Sequence, residues 1–249
     1  MNISIEQNAA ALGIAAGKKA AALLRGTLSV KGSANVILAT GASQFETLKE
    51  LISQPGIDWG KVTMFHLDEY IGLPETHAAS FRKYLKERFL DKVAPLKEAV
   101  LVDGNADPEQ ECERLAKLIK QYPIDIALVG IGENGHLAFN DPPADFTTTK
   151  PYLVVNLDEP CRRQQMNEGW FEQLEEVPKQ AISMSIKQIM LSKHIICSVP
   201  DKRKAAAVRD SLEKPVSNLF PASILQQHPD CTFFLDETSA SLLTKEGIK

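Results

Sequence analysis

Cysteine is scarce and scattered. Cys112, Cys161, Cys197 and Cys231 form no C-x-x-C pair, so neither a zinc site nor a disulfide framework is indicated, and reduced, mostly buried thiols are expected. No stretch approaches the ~18 uninterrupted apolar residues that a spanning helix needs. The opening MNISIEQNAA has neither the basic n-region nor the apolar h-region of a signal peptide, which makes a cytoplasmic address the expectation. Positive charge is not in excess: 28 Lys+Arg stand against 32 Asp+Glu, a formal charge of −4. The molecule as a whole therefore offers no general attraction to nucleic acid or to an acidic membrane, and an anionic substrate must be held by local charge. Internal repeats and Pro/Gly/Ser-rich linkers are missing too, so one domain over 1–249 is expected. What remains is 249 residues at 44% hydrophobic and 24% charged, ordinary for an enzyme-sized globular chain and incompatible with disorder or collagen.

The periodicity of the apolar residues changes repeatedly along the chain. Residues 5–25 carry helical spacing and are expected to form a helix ending near Gly26. Asn35–Ala39 reads as a short buried strand, broken by Thr40-Gly41-Ala42 before a helix that starts at Ser43, with Glu46 three residues on as a capping-box partner. Strands are expected at 62–67, 124–129, 152–156, 195–199 and 232–235, and helices at 80–91, 108–121, 160–171, 201–213 and 221–227. This alternation predicts an α/β fold, an open and mostly parallel sheet with helices on both faces. Such sheets bind ligands beyond the carboxyl ends of their strands.

Three strand ends carry candidate chemistry. At Thr40-Gly41-Ala42-Ser43, unpaired N–H groups, hydroxyls and a glycine at a helix mouth suit a phosphate or carboxylate. The alternative is a plain turn and cap, since no Walker or dinucleotide fingerprint is present. Asp68 and Glu69 follow an apolar strand, where a carboxylate aimed into a crevice serves as a base, unless both are simply solvated. The loop Gly130–Pro143 places His136 among Gly132, Asn134, Gly135 and Asp141. Its backbone freedom and titrating ring suit proton transfer near neutral pH, the alternative being a structural histidine. No second histidine stands at i+3 or i+4 to complete a metal site with His136 and Asp141, and no metal is expected.

These segments resemble the glucosamine-6-phosphate deaminase (isomerase) family, related in fold to the 6-phosphogluconolactonases. The likeness covers nearly the whole chain. It rests on the turn at 40–43, Leu67-Asp68-Glu69-Tyr70-Ile71-Gly72-Leu73-Pro74, Gly132–Pro142, and Pro221-Ala222-Ser223-Ile224-Leu225 with His228-Pro229. The resemblance implies a cofactor-free reaction, classed here as hydrolase, deaminase and isomerase, in which an amino-sugar 6-phosphate and water give fructose 6-phosphate and ammonia. Glucosamine 6-phosphate is the first expectation and its galacto epimer the second. A lactonase and a non-catalytic sugar-phosphate sensor are the rival readings.

By the same resemblance, Asp68 shuttles the C2 proton to C1 and His136 handles the ring-oxygen proton, flanked and oriented by Asn134 and Asp141. The substrate and its phosphate fall to Thr40, Gly41, Ala42, Ser43, Gly132 and Lys204. Gly169 stands where relatives place an arginine, which leaves Arg162 or Arg163 as the candidate substitute. Asn134 replaces the aspartate of many relatives, and Asp141 is shorter than their usual glutamate. The family includes hexamers and monomers, so a homo-oligomer is among the states it admits. With little sequence after Leu243, simple saturation kinetics are expected.

Overall fold

The chain opens with a strand where a helix was expected. In the computed structural model, which describes residues 1–244, Asn2–Glu6 form β1 and the helix α1 runs from Ala9 to Lys31. Ile3 and Ile5 alternate with Asn2 and Ser4, a period of two that pairs β1 with the last strand. Asn8 then caps α1, its side chain accepting from Ala11 N at 3.0 Å. Gly26 does not end the helix. The stop comes at Gly32, whose left-handed φ of 73° lets its N–H reach Leu28 O.

The strands and helices that follow are β2 (Ala34–Leu38), α2 (Phe45–Ser53), β3 (Val62–His66), β4 (Asp68–Tyr70), α3 (Phe81–Arg88), β5 (Glu98–Val100), α4 (Pro108–Ile119) and β6 (Ile126–Val129). After them come β7 (Tyr152–Asn156), α5 (Glu159–Asn167), β8 (Gln180–Met184), α6 (Ile186–Met190), β9 (His194–Val199), α7 (Ala205–Glu213) and β10 (Cys231–Asp236). The expected helix at 221–227 is a 3-10 helix, and 201–213 begins with a 3-10 turn at Lys202–Lys204.

Seven strands form one parallel sheet in the order β1-β10-β9-β6-β2-β3-β5. Its inner strands are buried on both faces, and alternate residues enter different cores. Val36, Leu38, Ile126 and Leu128 join α1, α2 and α3, whereas Ile37, Ala127 and Val129 join α4 and α7. The expected open parallel sheet with helices on both faces is thus the fold, with one correction. Tyr152–Asn156 does not extend that sheet; β7 pairs antiparallel with β8, which pairs antiparallel with β4, forming a second sheet of three strands. Its aromatic lining, Tyr70, Phe81, Phe139 and Phe171, makes a third small core.

Connections leave β2 toward β3 and leave β6 toward β9, so the strand order reverses between these two neighbours. At such a switch point the two outgoing loops separate and leave a crevice. Here the loops are Thr40–Ser43 and Gly130–His136.

Candidate active site

A cleft opens at that switch point, lined by Thr40, Gly41, Ala42 and Ser43 from β2, Asp68 from β4, His136 from the β6 loop, and Lys204 after β9. Seven sequence-predicted residues therefore meet in one place. Gly41 takes φ 89° and ψ 171°, a backbone conformation that excludes a side chain at little cost only for glycine. The turn starts earlier than Ser43 as a result: Ala42–Gln44 form a 3-10 turn leading into α2, with no side-chain cap bond at either start. The expected Ser43–Glu46 capping box is not formed. Glu46 instead lies 3.2 Å from Lys49, while Ser43 lines the cleft. Gln44 Nε2 donates to Val129 O at 3.1 Å, tying this turn to β6.

Asp68 and Glu69 are adjacent and buried, yet differ in every contact. Glu69 accepts from the N–H groups of Tyr70, Phe81 and Arg82 and from Ser80 Oγ, and the Arg82 guanidinium approaches to 3.4 Å. Its carboxylate is spent at the N-terminus of α3. Asp68 lines the cleft and has no side-chain hydrogen bond among the described residues. Burial, and secondarily the charge of Glu69, push the Asp68 carboxyl up to about 8. A base that must take a carbon-bound proton gains driving force from such a shift.

His136 is held from below and behind. Its ring Nδ1 lies 3.1 Å from Asp141 Oδ1 without alignment along the ring N–H, so this buried nitrogen is not fully paired in the free protein. Catalytic bonds commonly tighten only once substrate is present. Asp141 Oδ1 also accepts from Asn134 Nδ2 at 3.0 Å, and Oδ2 from Asp158 N at 3.0 Å. Burial raises the Asp141 carboxyl, but His136 and these donors outweigh it and hold the group below its usual range. Asn134 meets His136 through the backbone and through Asp141. Its Oδ1 accepts from His136 N at 3.0 Å, and its Nδ2 bridges Asp141 and Asp158.

Asp158 is a second carboxylate near the ring, and the sequence reading missed it. It caps α5 by accepting from Cys161 N at 2.7 Å, and the pattern Asp158-x-x-Cys161 before a helical run was a visible cue. The ligand atoms of His136, Asp141 and Cys161 lie within 4.8 Å of one another, the described cluster with metal-like composition. Burial pushes the Cys161 thiol far up, with Asp141 and Asp158 adding to the effect, so sulfur stays protonated rather than presenting a thiolate.

Gly132 was expected to touch substrate. It lies instead beneath the imidazole, where an added Cβ would come within 2.2 Å of His136 Cε1. Gly132→Ala is expected to displace the ring by roughly 1 Å and lower kcat by about 10²-fold, measured against an unchanged far-ultraviolet circular dichroism spectrum.

Neither arginine proposed for the phosphate reaches the cleft. Arg162 donates to Val177 O and Leu174 O, bracing the segment after α5, and the exposed Arg163 pairs with Glu159. The helix α5 presents different residues to the site: Gln164 and Gln165, followed by Glu168 just beyond its end. Gln164 Oε1 accepts from Glu133 N at 2.8 Å. Lys204, 3% exposed, places Nζ 3.8 Å from Glu168 Oε1. Burial lowers its pKa, partly offset by the Glu168 carboxylate.

Comparison with known proteins places the chain in a family. A glucosamine-6-phosphate deaminase of Exiguobacterium sibiricum is 41% identical over 210 residues, 84% of this chain and 81% of that protein. One from Lactobacillus delbrueckii subsp. bulgaricus is 36% identical over 246 residues, covering 98% and 100%. Among solved structures, a monomeric glucosamine-6-phosphate deaminase superposes with a TM-score of 0.89 at 35% identity, covering 97% of this chain and 100% of that one. A 6-phosphogluconolactonase from Thermotoga maritima shares the fold, with a TM-score of 0.78 at 16% identity over 94% and 99% of the two chains. Residues 7–234 match the family described as glucosamine-6-phosphate isomerases/6-phosphogluconolactonase, and to that family this chain belongs.

Proposed function

We propose that this protein is an amino-sugar-phosphate deaminase and isomerase, converting glucosamine 6-phosphate and water to fructose 6-phosphate and ammonia. The observation that carries the reading is the pairing, across one cleft, of an unpartnered Asp68 carboxyl with a His136 ring braced by Asp141. The C2 hydrogen of a closed amino sugar is too weakly acidic to remove. Ring opening must therefore come first, and two separate proton-transfer groups are needed. His136, its Nδ1 turned toward Asp141, offers Nε2 for the ring-oxygen proton.

The opened aldehyde then acidifies C2, and Asp68 takes that proton and returns it to C1. The resulting imine at C2 adds water and releases ammonia, so nitrogen leaves with the protons that water supplies. Asn134 acts through Asp141, as a positioning residue. Asp141 lies against the ring and Asp158 behind Asn134, so the imidazole is held in position as the ring oxygen gives and takes a proton.

The phosphate falls to the other end of the cleft. Thr40–Ser43 offer hydroxyls and the first N–H groups of a helical turn, and Lys204 is the cation among the described lining residues. Lys204→Ala is expected to raise KM about 10–100-fold, the worth of one charge-assisted hydrogen bond, with a smaller fall in kcat. A collapse of kcat at unchanged KM removes Lys204 from the phosphate site. The same proposal takes residues 1–249 as one catalytic domain acting in the cytoplasm on a small molecule, with self-association left to a measurement of mass in solution. No described helix is long and apolar enough to cross a membrane. Incubation with glucosamine 6-phosphate and assay of ammonia tests the whole reading: release of ammonia with fructose 6-phosphate supports it, and release of an acid from 6-phosphogluconolactone alone overturns it.

A further inference from the structure

The phosphate end of the cleft contains a carboxylate, an unexpected group beside an anion. Glu168 is mostly buried, 9% exposed at its side chain, and approaches the same ammonium on which the phosphate depends. It lines both the main cleft and the pocket that continues from it past Ser43 and Lys204. It is also fixed in place: Oε1 accepts from Gln164 Nε2 at 2.8 Å and Oε2 from Trp170 Nε1 at 3.3 Å. A phosphate seated between the 40–43 turn and Lys204 therefore meets Glu168.

A dianion there would set roughly three negative charges around one ammonium whose side chain, like that of Glu168, is mostly buried. Sharing one proton between a phosphate oxygen and a Glu168 oxygen removes that repulsion and replaces it with a short O–H···O⁻ bond, among the strongest hydrogen bonds available to a protein. The proton comes from solvent or arrives on the phosphate, whose second pKa is about 6. We infer that Glu168 is a specificity residue of the anion site, one that makes the cleft select a phosphate carrying a proton and couples its binding to proton retention. The inference rests on the phosphate reading above.

Other charges face this group. Lys204 comes from the turn after β9, where Arg203, Glu133 and Asp201 surround it, and Asp68 stands across the cleft. Burial already lowers the Lys204 pKa, so anion binding also weakens at high pH as that ammonium is lost. That contribution persists when Glu168 is replaced. Only the part due to Glu168 disappears with its carboxyl, which is what separates the two.

Trp170 supplies the probe, because its indole touches Glu168 directly. Tryptophan fluorescence is titrated with inorganic phosphate, which keeps a proton near pH 6, and with sulfate, which does not. In the wild type, phosphate is expected to bind at least tenfold more tightly than sulfate at pH 6 and to weaken by about tenfold per pH unit above neutrality, the slope of one linked proton. Glu168→Gln, which is nearly isosteric and can keep one of the two bonds, is expected to flatten that slope and to bring sulfate level with phosphate. Glu168→Ala removes the carboxyl without adding an amide donor and should do the same.

Equal binding of phosphate and sulfate by the wild type, or a slope as steep in both variants as in the wild type, overturns the inference. So does a rise in KM for the sugar phosphate in Glu168→Gln with the phosphate-to-sulfate ratio unchanged, since Glu168 would then be reading a sugar hydroxyl. Ammonia release distinguishes the two levels of failure. An active enzyme with a pH-independent anion site loses only this inference, whereas a protein that binds neither anion and releases no ammonia loses the function proposed above as well.

Discussion

Replacing Asp68 by asparagine is expected to lower kcat/KM by at least about 10², within the usual contribution of a general base, and to abolish exchange of the C2 hydrogen with solvent. KM should barely change, because the phosphate is held at the other end of the cleft. The wild-type pH profile follows from the same residue. A base must be ionised, and burial places the Asp68 carboxyl up at about 8, so kcat at saturating substrate, where anion binding no longer contributes, should climb about tenfold per pH unit toward pH 8 and level off above it.

Stability should run the opposite way. A carboxyl raised from 3.8 to about 8 holds its proton in the folded state over a range where the unfolded chain has lost it. The stability of that neutral form is fully present below pH 3.8 and is lost as pH rises toward 8. Asp68→Asn, neutral at every pH, should therefore melt above the wild type by a margin that widens toward pH 8. A variant that keeps wild-type turnover, or whose melting advantage does not grow with pH, contradicts the assignment.

The neighbouring carboxylate should give the reverse result, a large loss of stability. Glu69→Ala removes the acceptor of three backbone N–H groups and the Ser80 hydroxyl, and leaves the buried Arg82 guanidinium facing a void on that side. Breaking a buried pair of this type costs about 3–5 kcal/mol. In a chain of this size that is a fall in Tm of about 6–20 °C, measurable by calorimetry. Arg82 retains Asp103 and Leu73 O, which makes complete unfolding unnecessary for the prediction. A Tm within about 1 °C of wild type would show that Glu69 is not the anchor of α3.

Much of the fold was legible because burial on both sides of a parallel strand writes a short apolar run, as in Ile126–Val129, and leaves few other interpretations. The errors have physical sources. Ile5 reads equally well as the start of the helix expected over 5–25, since one apolar residue does not fix a period, and only pairing with β10 decides it. Gly26 meets nothing within 4 Å and so costs the helix only its propensity, whereas Gly32 adopts the left-handed turn that ends it. Tyr152–Asn156 was visible as a strand but not as antiparallel, because its partner Gln180–Met184 is remote in sequence and begins with a polar residue.

Within the site, Asp68, His136 and Asp141 were readable from residue type and strand-end position, and Lys204 only through the family resemblance. Gln164 and Glu168 were not, because they reach the cleft from α5 and its end, which no strand end announces, and Asp158 showed only as a cap of that helix. Arg162 misled for the opposite reason: a guanidinium in the right segment is attractive on charge alone, yet it is turned to carbonyls on the far side of its helix.

The small antiparallel sheet shares the mechanical labour of the cleft. Asp68 lies opposite Ser183 on β8, and the same Ser183 Oγ accepts from Phe139 N at 3.1 Å, while Asn140 Nδ2 donates to Met184 O at 2.9 Å. One strand thereby grips both the base and the loop that carries His136. The turn at 40–43 and Lys204 belong to the other sheet. Asp68 follows β3 by one residue and the His136 loop leaves β6, so both proton-transfer groups are also tied to the sheet that carries the turn at 40–43 and Lys204. The anion site and the two proton-transfer groups thus share one frame, and β8 adds a second brace that fixes the base against the His136 loop.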